Sequence, residues 1–242
     1  MRLQTFLARS GAAPSRRKAE ALISLGKVKV NGRIARLGES VSCNDCVFLD
    51  DKLVELPSNY AYFAFNKPAG YVTTLKDERN RPAIVELMPA NVPGLVPIGR
   101  LDADTTGLLL LTNDGKLAHR VAHPSSGIEK EYELTFVTPE DGFERHLTSL
   151  ASGPKLEDGK MLPPKLTRLR HIREKTILNL TIHEGRNRII RRACAAVGLR
   201  LISLKRVRVG PVRLGVLTEG RYRSLTKNEL KSLKKAGRRN FE

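Results

Sequence analysis

The chain is poor in aromatic residues: its 242 residues include no Trp, seven Phe and five Tyr. Proteins that hold single-stranded nucleic acid by stacking need aromatic platforms. No apolar run approaches the roughly 18 residues that a membrane helix needs. The apolar centre between Arg2 and Arg9 is also too short for a signal peptide. The sequence therefore predicts a soluble cytoplasmic protein that contacts no membrane.

Cysteine is scarce as well, with three residues in the whole chain. Cys43 and Cys46 have the spacing of half a zinc site, but no second pair follows at zinc-finger spacing. Asp45 lies between them and disfavours a thiolate. His119 and His123 stand four apart without a visible third ligand. We therefore predict reduced structural thiols, no metal and no cofactor.

Basic charge is abundant and concentrated at the two ends of the chain. Residues 1–36 carry nine Lys or Arg and one Glu, a net +8. Residues 186–242 carry 17 Lys or Arg and three Glu, a net +14, whereas residues 57–185 carry 16 charges of each sign. Two basic regions around a neutral body suit a polyanion with a reaction centre between them. Because aromatics are few, phosphate contact with a folded nucleic acid is favoured over stacking.

The N-terminal pattern predicts a compact module of two helices and a small sheet over residues 1–56, followed by a linker at 57–59. Residues 2–9 place apolar side chains on one helical face, and Ser15 is a good N-cap for a second helix. Strands are predicted at 27–30, 33–35 and 47–49. The basic side chains are either a solvated surface or, as we favour, phosphate-binding groups. The predicted RNA contacts of this module are Arg2, Arg9, Ser15, Arg16, Arg17, Lys18, Lys27, Lys29 and Arg33.

The stretch from Ile98 to Gly115 places Arg100, Asp102 and Asp104 directly before the apolar run 108–111. That run is too short for a helix and predicts a buried strand. Sites are often carried by loops at the edge of a rigid scaffold. On local grounds the carboxylates could equally cap a turn or pair with Arg100. Asp102 and Asp104 could also bind a metal ion, but no other acidic cluster in the sequence supports such a site.

Two later segments complete the predicted site. Residues 129–136 alternate, so Tyr132 faces inward with Lys130, Leu134 and Phe136. A following helix is predicted from Thr138-Pro139 to about Leu150.

A further helix is predicted over residues 186–197, with Ile190 and Ala193 on its buried face. Arg188 and Arg192 then point to solvent or phosphate, and Arg191 lies at the flank, where it can reach a buried carboxylate. Because strands come in runs with few helices between them, we predict an α+β, mostly antiparallel mixed-sheet domain over residues 60–235. Residues 236–242 form a basic tail.

The first 50 residues resemble the small RNA-binding module first described in a ribosomal small-subunit protein. The resemblance is carried by Ser15-Arg16-Arg17, Ala19-Glu20 and Val30-Asn31-Gly32. Pro14 departs from the pattern, which affects only the turn between the helices.

Residues 60–225 resemble the RsuA-type ribosomal RNA pseudouridine synthases. Four separated motifs in the expected order carry the resemblance: Asn66-Lys67-Pro68-x-Gly70; Gly99-Arg100-Leu101-Asp102 with Thr112-Asn113-Asp114-Gly115; Glu131-Tyr132; and Glu184-Gly185-Arg186-Asn187-Arg188-x-x-Arg191-Arg192. The resemblance implies that Asp102 is the catalytic aspartate. It implies further that Tyr132 is the aromatic packed against uracil, and that Arg191 is the cation paired with Asp102.

The implied reaction is isomerisation of uridine to pseudouridine in ribosomal RNA, with Asp102 acting as nucleophile or as base. The uridine must leave its stack, and Arg100 is a candidate to fill the gap or hold a phosphate. Further RNA contacts are expected from Arg186, Arg188 and Arg192. The expected partner of a monomeric chain is ribosomal RNA or an assembly intermediate, and the motif at 184–188 favours the large subunit. The alternative is a non-catalytic RNA-binding assembly factor, which would not need Asp102, Tyr132 and Arg191 together.

Overall fold

The computed structural model describes residues 1–137 and 142–236. Its N-terminal part contains two short helices that share one hydrophobic core with a four-stranded sheet in the order β2-β1-β3-β4, antiparallel throughout. The elements are α1 (Leu3–Arg9), α2 (Arg16–Ser24), β1 (Val28–Val30), β2 (Arg33–Ile34), β3 (Val47–Leu49) and β4 (Lys52–Val54). The predicted α/β module is thereby confirmed. Strand β4 was not predicted, because three residues give too little periodicity to detect.

The predicted N-cap of the second helix is present. Ser15 has extended backbone angles, and its Oγ accepts a hydrogen bond of 3.2 Å from the Lys18 backbone N–H. This bond satisfies one of the amide groups that the first helical turn leaves without a partner. The exposed start of α2 is therefore held in place by a side chain from the preceding turn.

The larger domain is built on one nine-stranded sheet. Its strands are β5 (Tyr62–Lys67), β6 (Val96–Ile98), β7 (Thr106–Thr112), β8 (Lys130–Val137), β11 (Lys165–Ile172), β12 (Lys175–Ile182), β13 (Leu201–Val209), β14 (Val212–Arg213) and β15 (Tyr222–Ser224). A separate hairpin is formed by β9 (Lys155–Leu156) and β10 (Gly159–Lys160). The helices are α3 (Gly115–Ala122), α4 (Phe143–Ala151), α5 (Ile189–Ala196) and α6 (Lys227–Ala236).

The main path of the sheet runs β11-β12-β8-β13-β7-β5-β15, with β14 paired to β13 and β6 to β7. Among the described strands, only β13 and β7 pair in parallel. This arrangement confirms the predicted α+β class with a mostly antiparallel sheet. The apolar run in β7 is continuous because the strand is covered on both faces: Leu109 and Leu111 join one core cluster, and Leu108 and Leu110 join the other.

The starts of two helices were predicted, and for α5 the observed start is later. The predicted start at Thr138-Pro139 lies outside the described residues, and α4 begins at Phe143 because Gly142 has φ +72°, outside the right-handed helical region. Helix α5 begins at Ile189, because Arg188 adopts a left-handed φ of +47°. Residues 186–188 are therefore a turn, and a helical periodicity does not apply to them.

The N-terminal module and the larger domain meet at Gly94. A Cβ built there, at a φ of +68°, would lie 2.3 Å from the carbonyl oxygen of Arg9. Only glycine permits this approach of two backbones. Nearby, Arg9 Nη2 donates a 3.1 Å hydrogen bond to the Tyr60 hydroxyl. The boundaries at 1–56, 57–59 and 60–235 stay predictions. The basic tail begins inside α6, which includes Ala236, and its other residues lie outside the described ones.

No helix of the described part is both long and apolar enough to cross a membrane.

Candidate active site

The loop that enters β7 is braced by the last residue of β5 and by the segment that follows it. Lys67 is fully buried, and its Nζ donates hydrogen bonds to the carbonyls of Ala103 at 3.2 Å and Thr105 at 3.0 Å. A turn bond of 3.1 Å joins the Thr105 N–H to the Asp102 carbonyl. On the other side, Thr73 Oγ1 donates to the Leu101 carbonyl at 2.7 Å. The backbone around Asp102 is thus fixed by side chains that are remote in sequence.

The end of this loop also fits tightly against β13. Gly107 has φ +98°, and a Cβ there would lie 2.3 Å from the Arg206 carbonyl oxygen. Residue 107 must be glycine for β7 and β13 to pair in parallel at this point. The loop therefore has little freedom at either end.

Asp102 and Tyr132 line one cavity of about 410 Å³. Asp102 is half-buried, with 29% of its side chain exposed, and Tyr132 is 8% exposed. The predicted inward face of β8 is confirmed for Tyr132, Leu134 and Phe136, which are all buried. The other walls come from the segment 185–190 and from β13. The cavity is of the size that binds small organic groups and has a carboxylate at its edge.

Arg191 pairs with Asp104, and the expectation that it pairs with Asp102 was wrong. Its Nη2 donates to the Asp104 carbonyl at 2.8 Å, and its Nε lies 3.3 Å from Asp104 Oδ2 as an ion pair. The cation nearest to Asp102 is Arg188, whose Nη1 lies 3.7 Å from Asp102 Oδ2. The reason is the turn at 102–105, which directs Asp104 toward α5.

Asp104 pairs with two arginines, although no role was predicted for it from the sequence. Arg188 donates to both of its carboxylate oxygens, at 3.2 and 3.0 Å. Burial raises the pKa of Asp104, but the Arg188 hydrogen bonds and the Arg191 charge outweigh burial, and the pKa lies below its ordinary value. Arg188 was expected to face solvent or phosphate. It turns into the site because it precedes the helix.

Arg186 and Arg192 share a carboxylate outside the cavity edge. Arg192 forms two hydrogen bonds of 2.8 Å with Asp158, and Arg186 contacts the same carboxylate at 3.0 Å. Arg186 also pairs with Glu184 at 2.8 Å. These two arginines were predicted to face RNA. Those RNA contacts stay predictions. In the structure the two arginines tie α5 and the segment before it to the β9–β10 hairpin, which was not predicted.

The predicted RNA contacts of the N-terminal module differ in their partners. Arg16, Arg17 and Lys18 are exposed and have no ion pair with any described residue. Intramolecular partners are present for the others: Arg2 with the Gly38 carbonyl, Lys27 with Asp50, Lys29 with Asp51, Arg33 with Glu39 and Arg9 with Tyr60. Arg9 and Lys29 are half-buried rather than exposed as predicted, because they pack at the domain junction and on a central strand. Arg100 is exposed at the cavity edge.

Three cations at the site had no role in the sequence-based prediction. Lys67 is buried among carbonyl groups; burial lowers its pKa to about 8, although the charges of Asp104, Asp102 and Glu219 oppose this. Lys130 and Arg206 line the cavity itself. For two of these cations the sequence contained a signal that could have found them. Lys67 lies in the Asn66-Lys67-Pro68 motif, and Lys130 shares the inward face of Tyr132. Arg206 carries no such signal.

The cysteines lie away from the cavity and are all free thiols. Cys43 and Cys46 are exposed, whereas Cys194 is buried in the core and burial raises its pKa to about 12. Among residues 1–137 and 142–236, no group of three or more His, Cys, Asp and Glu is arranged to hold a metal ion.

Comparison with known proteins decides the family. Residues 61–196 match the model of the RNA pseudouridylate synthases, and residues 1–45 match that of the S4 domain. The chain belongs to the RNA pseudouridine synthases. The predicted enzyme class, an isomerase with an N-terminal RNA-binding domain, is thereby confirmed.

This synthase resembles its relatives over almost its whole length. It is 40% identical over 239 residues to an Aquifex aeolicus protein named as an uncharacterized RNA pseudouridine synthase, covering 98% of this chain and 94% of that one. It is 41% identical over 239 residues to the ribosomal large subunit pseudouridine synthase B of Bacillus subtilis, covering 96% and 95%. A crystal structure of a pseudouridylate synthase matches with a TM-score of 0.66 and 35% identity, covering 96% and 99%. The alternative of a non-catalytic assembly factor is not favoured.

Proposed function

We propose that this synthase converts a uridine of large-subunit ribosomal RNA to pseudouridine in the cytoplasm, with Asp102 as the catalytic carboxylate. The observation that carries the proposal is the shared cavity of Asp102 and Tyr132 at a braced loop. The name of the Bacillus subtilis relative supports the large-subunit target. The motif at 184–188 also favours this target, because it resembles that of the large-subunit members of the family more than that of the small-subunit ones.

Within this proposal Asp102 acts on the ribose, as a nucleophile or as the base that removes a ribose proton. Arg188, 3.7 Å away, favours the ionised carboxylate that either role requires. Tyr132 packs against uracil and offers its hydroxyl to a polar atom of the base. Arg191 acts on Asp102 only indirectly, by holding Asp104 and therefore the loop.

The uridine must leave its stack to reach the cavity, which costs a few kcal/mol. Arg100 is placed to fill the resulting gap or to hold a neighbouring phosphate, since it is exposed at the cavity edge. The basic start of α2 supplies phosphate contacts further away. The substrate is free ribosomal RNA or an assembly intermediate. In this proposal the acting form is the monomer that the sequence analysis expects.

The test is to map pseudouridines in both ribosomal RNAs of cells that lack this protein. We expect one large-subunit pseudouridine to disappear, and to return on expression of the wild-type chain. Asp102→Asn should fail to restore it while its RNA dissociation constant stays within about threefold, because the substitution keeps the shape and removes the ionised oxygen. A missing small-subunit site would contradict the large-subunit target. Full restoration by Asp102→Asn would contradict the assignment of the catalytic carboxylate.

A further inference from the structure

Two cations lie side by side on the wall of the cavity that also contains Tyr132. Lys130 and Tyr132 are two residues apart on β8 and face the same side of the sheet. Arg206 lies directly opposite Tyr132 on the neighbouring strand β13, and Val209 lies opposite Lys130. All three polar side chains line the cavity that contains Asp102.

Neither cation has a carboxylate partner among residues 1–137 and 142–236. Arg206 is 3% exposed, and its Nε donates a 2.6 Å hydrogen bond to the Leu108 carbonyl. The Lys130 side chain forms no hydrogen bond or ion pair with a described residue, and burial together with the Arg206 charge lowers its pKa. By contrast, Arg188, Arg191 and Arg192 all have carboxylate partners.

Arg206 is buried and Lys130 is half-buried. Placing two neighbouring like charges out of full contact with water and without counterions destabilises a fold. Lys130 lines the cavity together with apolar groups, among them Ile98, Val121 and Val209. An apolar side chain at position 130 would therefore cost the fold less stability than the lysine does. The arrangement is therefore expected to serve a ligand that carries negative charge at this depth. Backbone phosphates are poor candidates, because Arg100 at the cavity edge is exposed and is more accessible to a polynucleotide than the buried Arg206.

We propose that Lys130 and Arg206 are catalytic residues that bind the carbonyl oxygens of uracil and stabilise the negative charge that the base acquires while it is detached from the ribose. The inference rests on the proposal that uridine enters the cavity of Asp102. When the C1′–N1 bond breaks, its electron pair goes to the base and spreads over N1, O2 and O4. At the ribose, Asp102 either forms a bond to C1′ or removes a proton. The base then turns, and C5 bonds to C1′ as the bond from Asp102 breaks or as the ribose proton is returned. C5 then loses its proton to solvent and N1 takes one up. Preorganised cations at O2 or O4 lower the barrier to the first of these steps.

The test measures tritium release from total RNA that was labelled with [5-³H]uridine in cells lacking this protein, which does not require a known target. Lys130→Met removes the charge and keeps the length of the side chain, and Lys130→Arg keeps the charge. Lys175→Met is the matched control, since Lys175 is exposed on β12. Asp102→Asn is assayed in parallel. For every variant, the single-turnover rate at saturating enzyme, the RNA dissociation constant and the melting temperature are measured.

We expect Lys130→Met to lower the saturating rate about 100-fold, with a dissociation constant within about threefold of wild type. Its melting temperature should equal or exceed that of wild type, because an unpaired buried charge has been removed. Lys130→Arg should keep at least about a tenth of the rate, and Lys175→Met should match wild type.

Three results would overturn the inference: a saturating rate for Lys130→Met within about threefold of wild type, a weaker dissociation constant with an unchanged saturating rate, or equal losses in Lys130→Met and Lys130→Arg. The second result would assign Lys130 to a phosphate instead. If Asp102→Asn is inactive while Lys130→Met is normal, only this inference fails. If Asp102→Asn releases tritium normally, the proposed site itself fails.

Discussion

The two basic ends of the synthase present their positive charge in different ways. At the start of α2, Arg16, Arg17 and Lys18 are exposed and have no ion pair with any described residue. Near the other end, Arg188 directly before α5 is bound to Asp104, and Arg192 within α5 is bound to Asp158. A count of charges along the sequence treats these ends as similar. The structure separates cations that are free to neutralise phosphate from cations that already hold the protein's own carboxylates.

Arginine and lysine residues therefore have two different roles in this protein. Free surface cations contribute salt-dependent affinity that is independent of sequence. Cations that are locked onto carboxylates contribute geometry, because a bidentate guanidinium fixes two segments relative to each other. Arg188 and Arg191 together fix the loop of Asp102 against α5.

The largest effect that would sharpen this comparison is expected from Arg191→Met. The substitution removes the ion pair with Asp104 and the hydrogen bond to its carbonyl, so the neighbouring Asp102 loses its fixed position. We expect kcat to fall about 100-fold, as a misplacement of about 1 Å can cause. The RNA dissociation constant should change less than about threefold, and single-turnover assays with a binding titration separate the two. Arg170→Met, at an exposed pair with Glu133, is the control. A loss of affinity at unchanged kcat would assign Arg191 to RNA instead.

Lys67 is a third kind of cation, buried against carbonyl groups only, and it predicts a pH dependence of stability. Its pKa is about 8 in the folded chain, against 10.5 as the ordinary value. Between these values the unfolded chain binds more protons, so this group makes the free energy of unfolding rise with pH. Relative to Lys67→Met, the wild type should gain about 2 kcal/mol from pH 8 to 10.5 in urea titrations. Lys67→Arg, which does not titrate in this range, is a second reference. A gain on lowering the pH would contradict the burial argument.

Two triple substitutions within the N-terminal module compare cations that have no ion pair with cations that have one. Each triple substitution removes three positive charges. Replacing Arg16, Arg17 and Lys18 with Gln should weaken RNA binding about tenfold and reduce the salt slope by about two to three, because roughly one counterion is released per phosphate contact. The same replacement of Lys27, Lys29 and Arg33 should cost less, since each already has a carboxylate partner. Binding titrations over a series of salt concentrations measure both. Equal losses would show that these ion pairs open for RNA.

The smallest effect is expected from Ser15→Ala. Ser15 was predicted both to cap α2 and to contact RNA, and its Oγ accepts a hydrogen bond from the Lys18 backbone N–H. The substitution should lower the free energy of unfolding by about 1 kcal/mol, and Ser15→Asp should restore most of it. At saturating enzyme the rate should not change. Denaturant unfolding followed by circular dichroism gives the stability. If RNA affinity falls far more than in the Ser15→Asp variant, the hydroxyl itself contacts RNA.

The predictions from the sequence were correct where a regular pattern of residues determines the local structure. The alternation of residues 129–136 placed Tyr132 on the buried face, and the short apolar run before Asn113 predicted a buried strand, which is β7. Thr226 and Glu229, at the spacing of a capping box, also cap the last helix reciprocally, with hydrogen bonds of 2.8 and 3.1 Å. Each of these features depends only on neighbours along the chain.

The ion pairs of the site could not be predicted in the same way. Arg188 adopts a left-handed backbone conformation directly before α5. The helical repeat therefore does not include Arg188 and does not predict where its side chain points. The tight turn from Asp102 to Thr105 decides which of two nearby carboxylates meets Arg191. Both outcomes depend on the backbone angles of single residues and on contacts between residues more than 80 positions apart in the sequence. The periodicity of the sequence gives no information about either.

The order of strands has a consequence for the synthesis of the protein. Strand β7, which follows the Asp102 loop, takes one neighbour from β5 and the other from β13, which ends at Val209. Strand β5 in turn pairs with β15, which begins at Tyr222. A ribosome must therefore translate most of the chain before this sheet can close, whereas the strands of the N-terminal module pair within residues 28–54. The nascent chain thus acquires an RNA-binding fold well before it acquires a reaction centre.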